Sequence, residues 1–177
     1  MKRLMALFLG VVILMSGCAR KVIEKERIIN VEKKLKVSNR IWKIPIALKD
    51  SEYKNIKTIL ITTDADFKKF LSKIESKKKW KRRDNFLTII KEAKVNFKDE
   101  NFLLYSFKED SAFVISTVNP PIDLDDENVS VIIEKELAKE HLSGKFNYYA
   151  LAYKVKKGVK NIIFIDGKER KVIKNSN

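Results

Sequence analysis

Cys18 is the only cysteine among 177 residues, so no disulfide within the chain can staple the fold, and a stable domain must rest on its apolar core. What precedes it falls into three zones: basic Lys2 and Arg3, a twelve-residue apolar stretch over residues 4–15, and the small pair Ser16-Gly17. Basic, apolar and small, in that order, is the layout of an export signal over residues 1–17. At ~1.5 Å per helical residue the apolar stretch covers roughly 18 Å, short of the about 30 Å of a bilayer core. Residues 18–177 remain, and a chain of that length buries roughly 68–70% of the surface its unfolded form exposes, enough for a core without disulfides.

Met15-Ser16-Gly17-Cys18 resembles the lipobox of bacterial lipoproteins, with Met15 standing where leucine is usual. The resemblance implies that the Cys18 thiol is acylated and becomes the first residue of the mature protein, with membrane lipid as its partner there. It also implies a cell-envelope protein. Ala19 after the cysteine implies the periplasmic side of the outer membrane in a cell that has two membranes. At ~0.8 kcal/mol per buried methylene, two or more acyl chains supply roughly 20 kcal/mol, a permanent anchor.

The chain carries 38 basic and 23 acidic residues, and loss of Lys2 and Arg3 with the leader takes its net +15 to +13. Thirty-one of the basic residues are lysine, in a chain also rich in Ile and Asn, so the charge reflects composition as much as an anionic partner. Residues 18–40 mix charge with aliphatics in no steady period and read as a lipidated N-terminus and tether, roughly 70 Å long if fully extended. The alternative for residues 28–37 is an edge strand. Residues 41–177 show no Gly/Ser-rich or Pro-rich break and read as one globular domain.

Within that domain, residues 56–62 read as a strand, and Thr63-Asp64-Ala65-Asp66 as a capping box opening a helix. Phe67, Phe70, Leu71 and Ile74 then share one helical face. Asp84 reads as the N-cap of a second helix with Phe86, Ile89, Ile90 and Ala93 inward. Strands follow at 102–107, 112–118, 129–133 and 149–155. A final hairpin joins 161–165 to 170–173 through Asp166-Gly167, suited to a type I′ turn. Further turns are expected at 108–110 and 157–158, and the short connections favour antiparallel pairing. The expected class is α+β: an antiparallel or mixed sheet with two early amphipathic helices packed on it.

From Ile59 onward the order of motifs resembles the domain of PrcB-type lipoproteins, named for an accessory subunit of an exported protease complex. The features are the Ile-Thr-Thr-Asp-x-Asp-Phe helix start at residues 61–67, Val95-Asn96-Phe97 after the second helix, and a strand beginning at Phe102. That family tends to have Asp where Asn96 stands, and a Gly-Gly-Tyr-like turn at Ser111-Ala112-Phe113. The resemblance implies a non-catalytic domain that binds or stabilises a partner protein, and it transfers no catalytic residue.

Nucleophilic hydrolysis needs a nucleophile beside a base, and the only histidine, His141, reads as a solvent-facing residue in a polar segment closed by Gly144. No G-x-S-x-G, H-E-x-x-H, P-loop or dinucleotide motif occurs. Asp123, Asp125, Asp126 and Glu127 form the one dense carboxylate group, without the turn glycine of a calcium loop, and read as solvated. A non-enzymatic domain with neither cofactor nor metal is therefore expected. An uncharacterised hydrolase using paired carboxylates stands third.

Six cations surround one aromatic in Lys77, Lys78, Lys79, Trp80, Lys81, Arg82 and Arg83, between the two helices. This loop reads either as a solvated connection with Trp80 folded onto the domain, or as a grip on anionic envelope polymer or lipid headgroups. The leading expectation is a membrane-anchored accessory domain with an envelope protein as partner. A basic surface domain binding anionic polymer is the alternative, and no nucleic acid is expected.

Overall fold

The computed structural model describes residues 36–139 and 144–175, and residues 37–177 form one compact unit. Cys18, the expected site of acylation, most of the expected tether and His141 lie outside the described residues.

The fold is α+β, with two amphipathic helices and ten strands among the described residues. The helices, α1 (Asp64–Glu75) and α2 (Arg83–Glu92), come after three short strands rather than at the start: β1 (Lys36–Val37), β2 (Ile41–Ile44) and β3 (Ile59–Ile61). Seven strands follow: β4 (Glu100–Asp110), β5 (Phe113–Val118), β6 (Ile122–Asp123), β7 (Asn128–Leu137), β8 (Phe146–Lys156), β9 (Asn161–Asp166) and β10 (Glu169–Lys174). One sheet has the order β2-β8-β4-β3. The other runs β1-β6-β7-β9-β10, with β5 also paired to β7.

The four-stranded sheet is buried on both faces. Along β4, Phe102 and Leu104 join the cluster under the helices, while Leu103 between them joins the cluster against the second sheet. Along β8, Ala150 and Ala152 face the helix side, and Leu151, Tyr153 and Val155 the sheet side. Side chains alternate across a strand, so a middle layer needs apolar residues in both phases. The small alanines leave room for rings: Phe67 and Phe70 of α1 meet Phe102 at 5.1 and 5.7 Å. The result is three layers: helices, the four-stranded sheet, and the six-stranded sheet.

Local structure follows the expected chemistry at α1. Thr63 Oγ accepts from the Asp66 backbone N–H at 3.1 Å, Asp64 and Asp66 lie at the positive end of the helix dipole, and the four expected residues are buried. The second helix begins slightly earlier than expected. Arg82 is its N-cap without a side-chain bond, and Asp84 falls in the first turn, where Arg83 holds its carboxyl below the usual range through a 2.8 Å hydrogen bond. Its buried face is Phe86, Leu87 and Ile90, with Ile89 and Ala93 packed partly against the core.

Three expectations are corrected. Residues 108–110 are not a turn: β4 runs through them in register with β8, and the chain turns at Ser111-Ala112. In the last hairpin Asp166 pairs with Glu169, so the loop is Gly167-Lys168, and only Gly167 has positive φ (+56°). Glycine at the first loop position with an ordinary φ after it belongs to a type II′ rather than a type I′ turn. Finally, β7 and β9 pair in parallel. The chain between them travels through β8 in the other sheet, which reverses its direction, so a short β8–β9 connection does not make those two strands neighbours.

Candidate functional site

β3 ends the four-stranded sheet, and its side away from β4 pairs with no strand among the described residues. Just before it, Thr58 Oγ1 donates to the Ser106 carbonyl at 3.0 Å and accepts from the Ser106 N–H at 3.1 Å, fastening the strand to β4 by a side chain. Just after it, Thr63 caps α1. At the far end of α1 the ring of Trp80 meets Tyr53 edge-on at 6.0 Å and Phe86 at 4.9 Å. Tyr53 lies in a single 3-10 turn, Ser51–Asn55, and its hydroxyl donates to the Ala47 carbonyl at 2.6 Å. The segment leading into β3 and the helix leaving it are thus joined at both ends, and run alongside one another in opposite directions.

Between them lies an open groove of about 650 Å³. Its floor is apolar, with Ile56, Ile61, Phe70 and Ile74 buried and Ile59 37% exposed. Lys57, Lys69, Lys73 and Lys77 line it against one carboxylate, Asp66. Asp66 is engaged by the Thr63 hydroxyl at 2.7 Å. Among the described residues none of the four lysines forms an ion pair. An apolar floor beside unpaired strand backbone, rimmed by free cations, offers main-chain hydrogen bonds, hydrophobic contact and a sign of charge.

The cationic loop singled out in the sequence is divided. Lys77 is half-buried at the groove, Trp80 is buried within the helix-side core, and Lys78, Lys79, Lys81 and Arg82 are exposed. Arg82 approaches Asp50 at 3.9 Å and Arg83 binds Asp84 at 2.8 Å. The indole of Trp80 is spent on Tyr53 and Phe86, leaving no aromatic of this loop free for a lipid surface.

The acidic loop is closed from within. Arg40 Nη2 lies 2.8 Å from Asp123 Oδ1 and donates to the Asp125 carbonyl at 2.6 Å, and Nη1 donates to the Asp126 carbonyl. Asp125 folds back to accept from the Asn128 side-chain amide at 2.6 and 2.8 Å and from the Glu127 and Asn128 backbone N–H groups at 2.8 Å each, which together hold its pKa below the usual carboxylate value. A guanidinium therefore sits where a calcium ion would have to be. Among the described residues no group of three or more potential metal ligands occurs, and no helix is long and apolar enough to cross a membrane.

Sequence reasoning missed one charged cluster. Lys135 Nζ of β7 lies between Glu109 of β4 at 2.7 Å and Asp166 of β9 at 2.8 Å, clasping the two sheets together. Burial works against the ammonium, but the hydrogen bonds to Asp166 and Glu109 outweigh it and raise its pKa above the ordinary lysine value. Beside it Tyr105 stacks on Phe164 and Phe107. Burial, reinforced by the charges of Asp166 and Glu169, pushes the Tyr105 hydroxyl up to about 12. The three charged residues come from distant strands, and no local pattern announces them.

Comparison with protein-family models, with curated proteins and with solved structures returned no match.

Proposed function

We propose that this chain is a lipid-anchored protein of the cell envelope whose domain binds another envelope protein through the groove between β3 and α1, with no catalytic task. The leader and the Met15–Cys18 motif support the anchor. The resemblance in motif order to PrcB-type lipoproteins supports an accessory role. The observation that carries the binding reading is the free edge of β3 opening onto an apolar groove with unpaired lysines. Exposed strand edges invite pairing with other chains, and proteins ordinarily blunt them with charge, proline or a covering segment. β3, Ile-Leu-Ile, carries neither charge nor proline, and its shortness, three residues, is the one such safeguard in its own sequence.

A photo-crosslinking amino acid in place of Ile59, used in intact cells, tests this. The expected outcome is a discrete protein adduct that disappears when Cys18→Ser releases the domain from the membrane. Adducts to polysaccharide or lipid alone would instead support the alternative, a polyanion-binding domain. That alternative draws on Lys78, Lys79 and Lys81, which are exposed and unpaired among the described residues. Absence of any adduct in the parent background would overturn the groove as a partner site.

A further inference from the structure

We infer that the groove takes an extended, acidic peptide segment of its partner, which adds as a strand to the free edge of β3 and sets alternate carboxylates against the lysines of α1. This rests on the partner-binding reading and names its ligand.

Three observations lead to it. The first is the edge itself: a strand at the end of its sheet has half its backbone donors and acceptors directed outward, and an extended segment satisfies them in register. The second is spacing. Lys69 and Lys73 stand one turn apart on α1, about 6 Å along the axis at ~1.5 Å per residue. Lys77 continues the row in the turn where its N–H donates to the Ile74 carbonyl. Alternate side chains of an extended strand are ~6.8 Å apart, so every second residue of an added strand meets the next lysine. Because residues 53–61 and α1 are joined at both ends, that row runs beside this whole segment, of which β3 supplies the last three residues.

The third observation is charge, which selects among occupants. The groove has four lysines against one already engaged aspartate. A second copy of this chain, at net +15, brings like charge. The chain's own residues 19–35 are also a poor match, with six basic residues (Arg20, Lys21, Lys25, Arg27, Lys33 and Lys34) against three glutamates. Charge complementarity therefore points to a foreign acidic strand. Apolar residues alternating with its carboxylates would lie on the other face of the sheet, beside Leu60.

The test uses the full chain in detergent and a labelled ten-residue peptide alternating glutamate with valine, followed by fluorescence anisotropy. Comparison peptides carry lysine in place of glutamate, or N-methyl groups on alternate backbone amides. The expected result is salt-sensitive binding of the acidic peptide, at least about tenfold weaker after N-methylation on the pairing side, and none for the lysine peptide. A Lys69→Glu/Lys73→Glu variant, its fold checked by thermal melting, should lose the acidic peptide and take up the lysine one. Equal affinity for the N-methylated peptide overturns strand addition, and that arm needs no protein variant. Unchanged acidic binding by the double variant overturns the lysine register. If the peptides fail while Ile59 still captures a protein in cells, the partner-binding reading stands and the acidic strand falls. Adducts only to residues 19–35 or to a second copy overturn the foreign occupant.

Discussion

The two outer strands of the four-stranded sheet have opposite fates. On the β2 side, the Ser38 N–H donates to the Pro121 carbonyl of the second sheet at 2.7 Å, and the Lys156 N–H donates to the Arg40 carbonyl at 2.8 Å. Arg40 then reaches into the acidic loop, and Pro45 ends the strand. One stretch of backbone therefore seams the two sheets together along this side. The β3 side has no such seam: the chain passes through three aliphatic residues and turns away into α1, leaving strand backbone beside a groove. The second sheet protects its own limits, with charges along β10 and with Pro120-Pro121 breaking the line from β5 to β6. Among the described residues β2 also pairs with no strand on its outer side, and what sets β3 apart is the lysine-rimmed groove beside it.

The contrast can be broken at several strengths. The largest effect is expected at Trp80, which pins the far end of the open side: Trp80→Ala removes the ring held by Tyr53 and Phe86, and should cost about 3–5 kcal/mol in urea unfolding. A loss under about 1 kcal/mol would mean that the groove walls are held by something other than that cluster. Next comes the seam. Arg40→Ala leaves Asp123 and two loop carbonyls without their donor and should cost about 2–3 kcal/mol by the same assay. Were it silent, the β2 side would be no more closed than the β3 side.

The smallest effect belongs to neither edge. Tyr105 and Lys135 both have pKa values raised in the folded state, so above pH about 10 the unfolded chain releases these protons first. Stability is then full below about pH 10 and falls as pH rises toward 12. Thermal melting from pH 8 to 11 should show the decline, and Tyr105→Phe should lessen its slope without abolishing it, because burial raises Tyr53, Tyr149 and Tyr153 as well. An identical slope in the variant would place the alkaline sensitivity elsewhere, including at one of the two edges.

Much of this molecule was legible locally. The Thr63 cap, the inward faces of both helices and the last hairpin rest on residues within a few positions of one another, and the sequence displays such neighbours directly. Division into two sheets was not legible, because pairing is decided between residues far apart. The parallel β7–β9 pair depends on β8 having gone to the other layer, and nothing within β7 or β9 records it. The runs of consecutive buried residues in β4 and in the middle of β8 are the traces of strands covered on both faces. The loop from Lys77 to Arg83 misled for the same reason: cations adjacent in sequence divide among the groove, carboxylate partners and solvent, while Trp80 turns inward. Lys69 and Lys73, which lie off the apolar face of α1, border the groove because of where β3 ends its sheet.

The ladder between β4 and β8 has a kinetic consequence. Its innermost partners, Asp110 and Phe146, meet only after the whole β5-to-β7 excursion has been laid down, and its outermost, Glu100 and Lys156, are farther apart still. Joining such remote stretches loses much chain entropy before contact returns any, a pattern that places folding in the millisecond-to-second range.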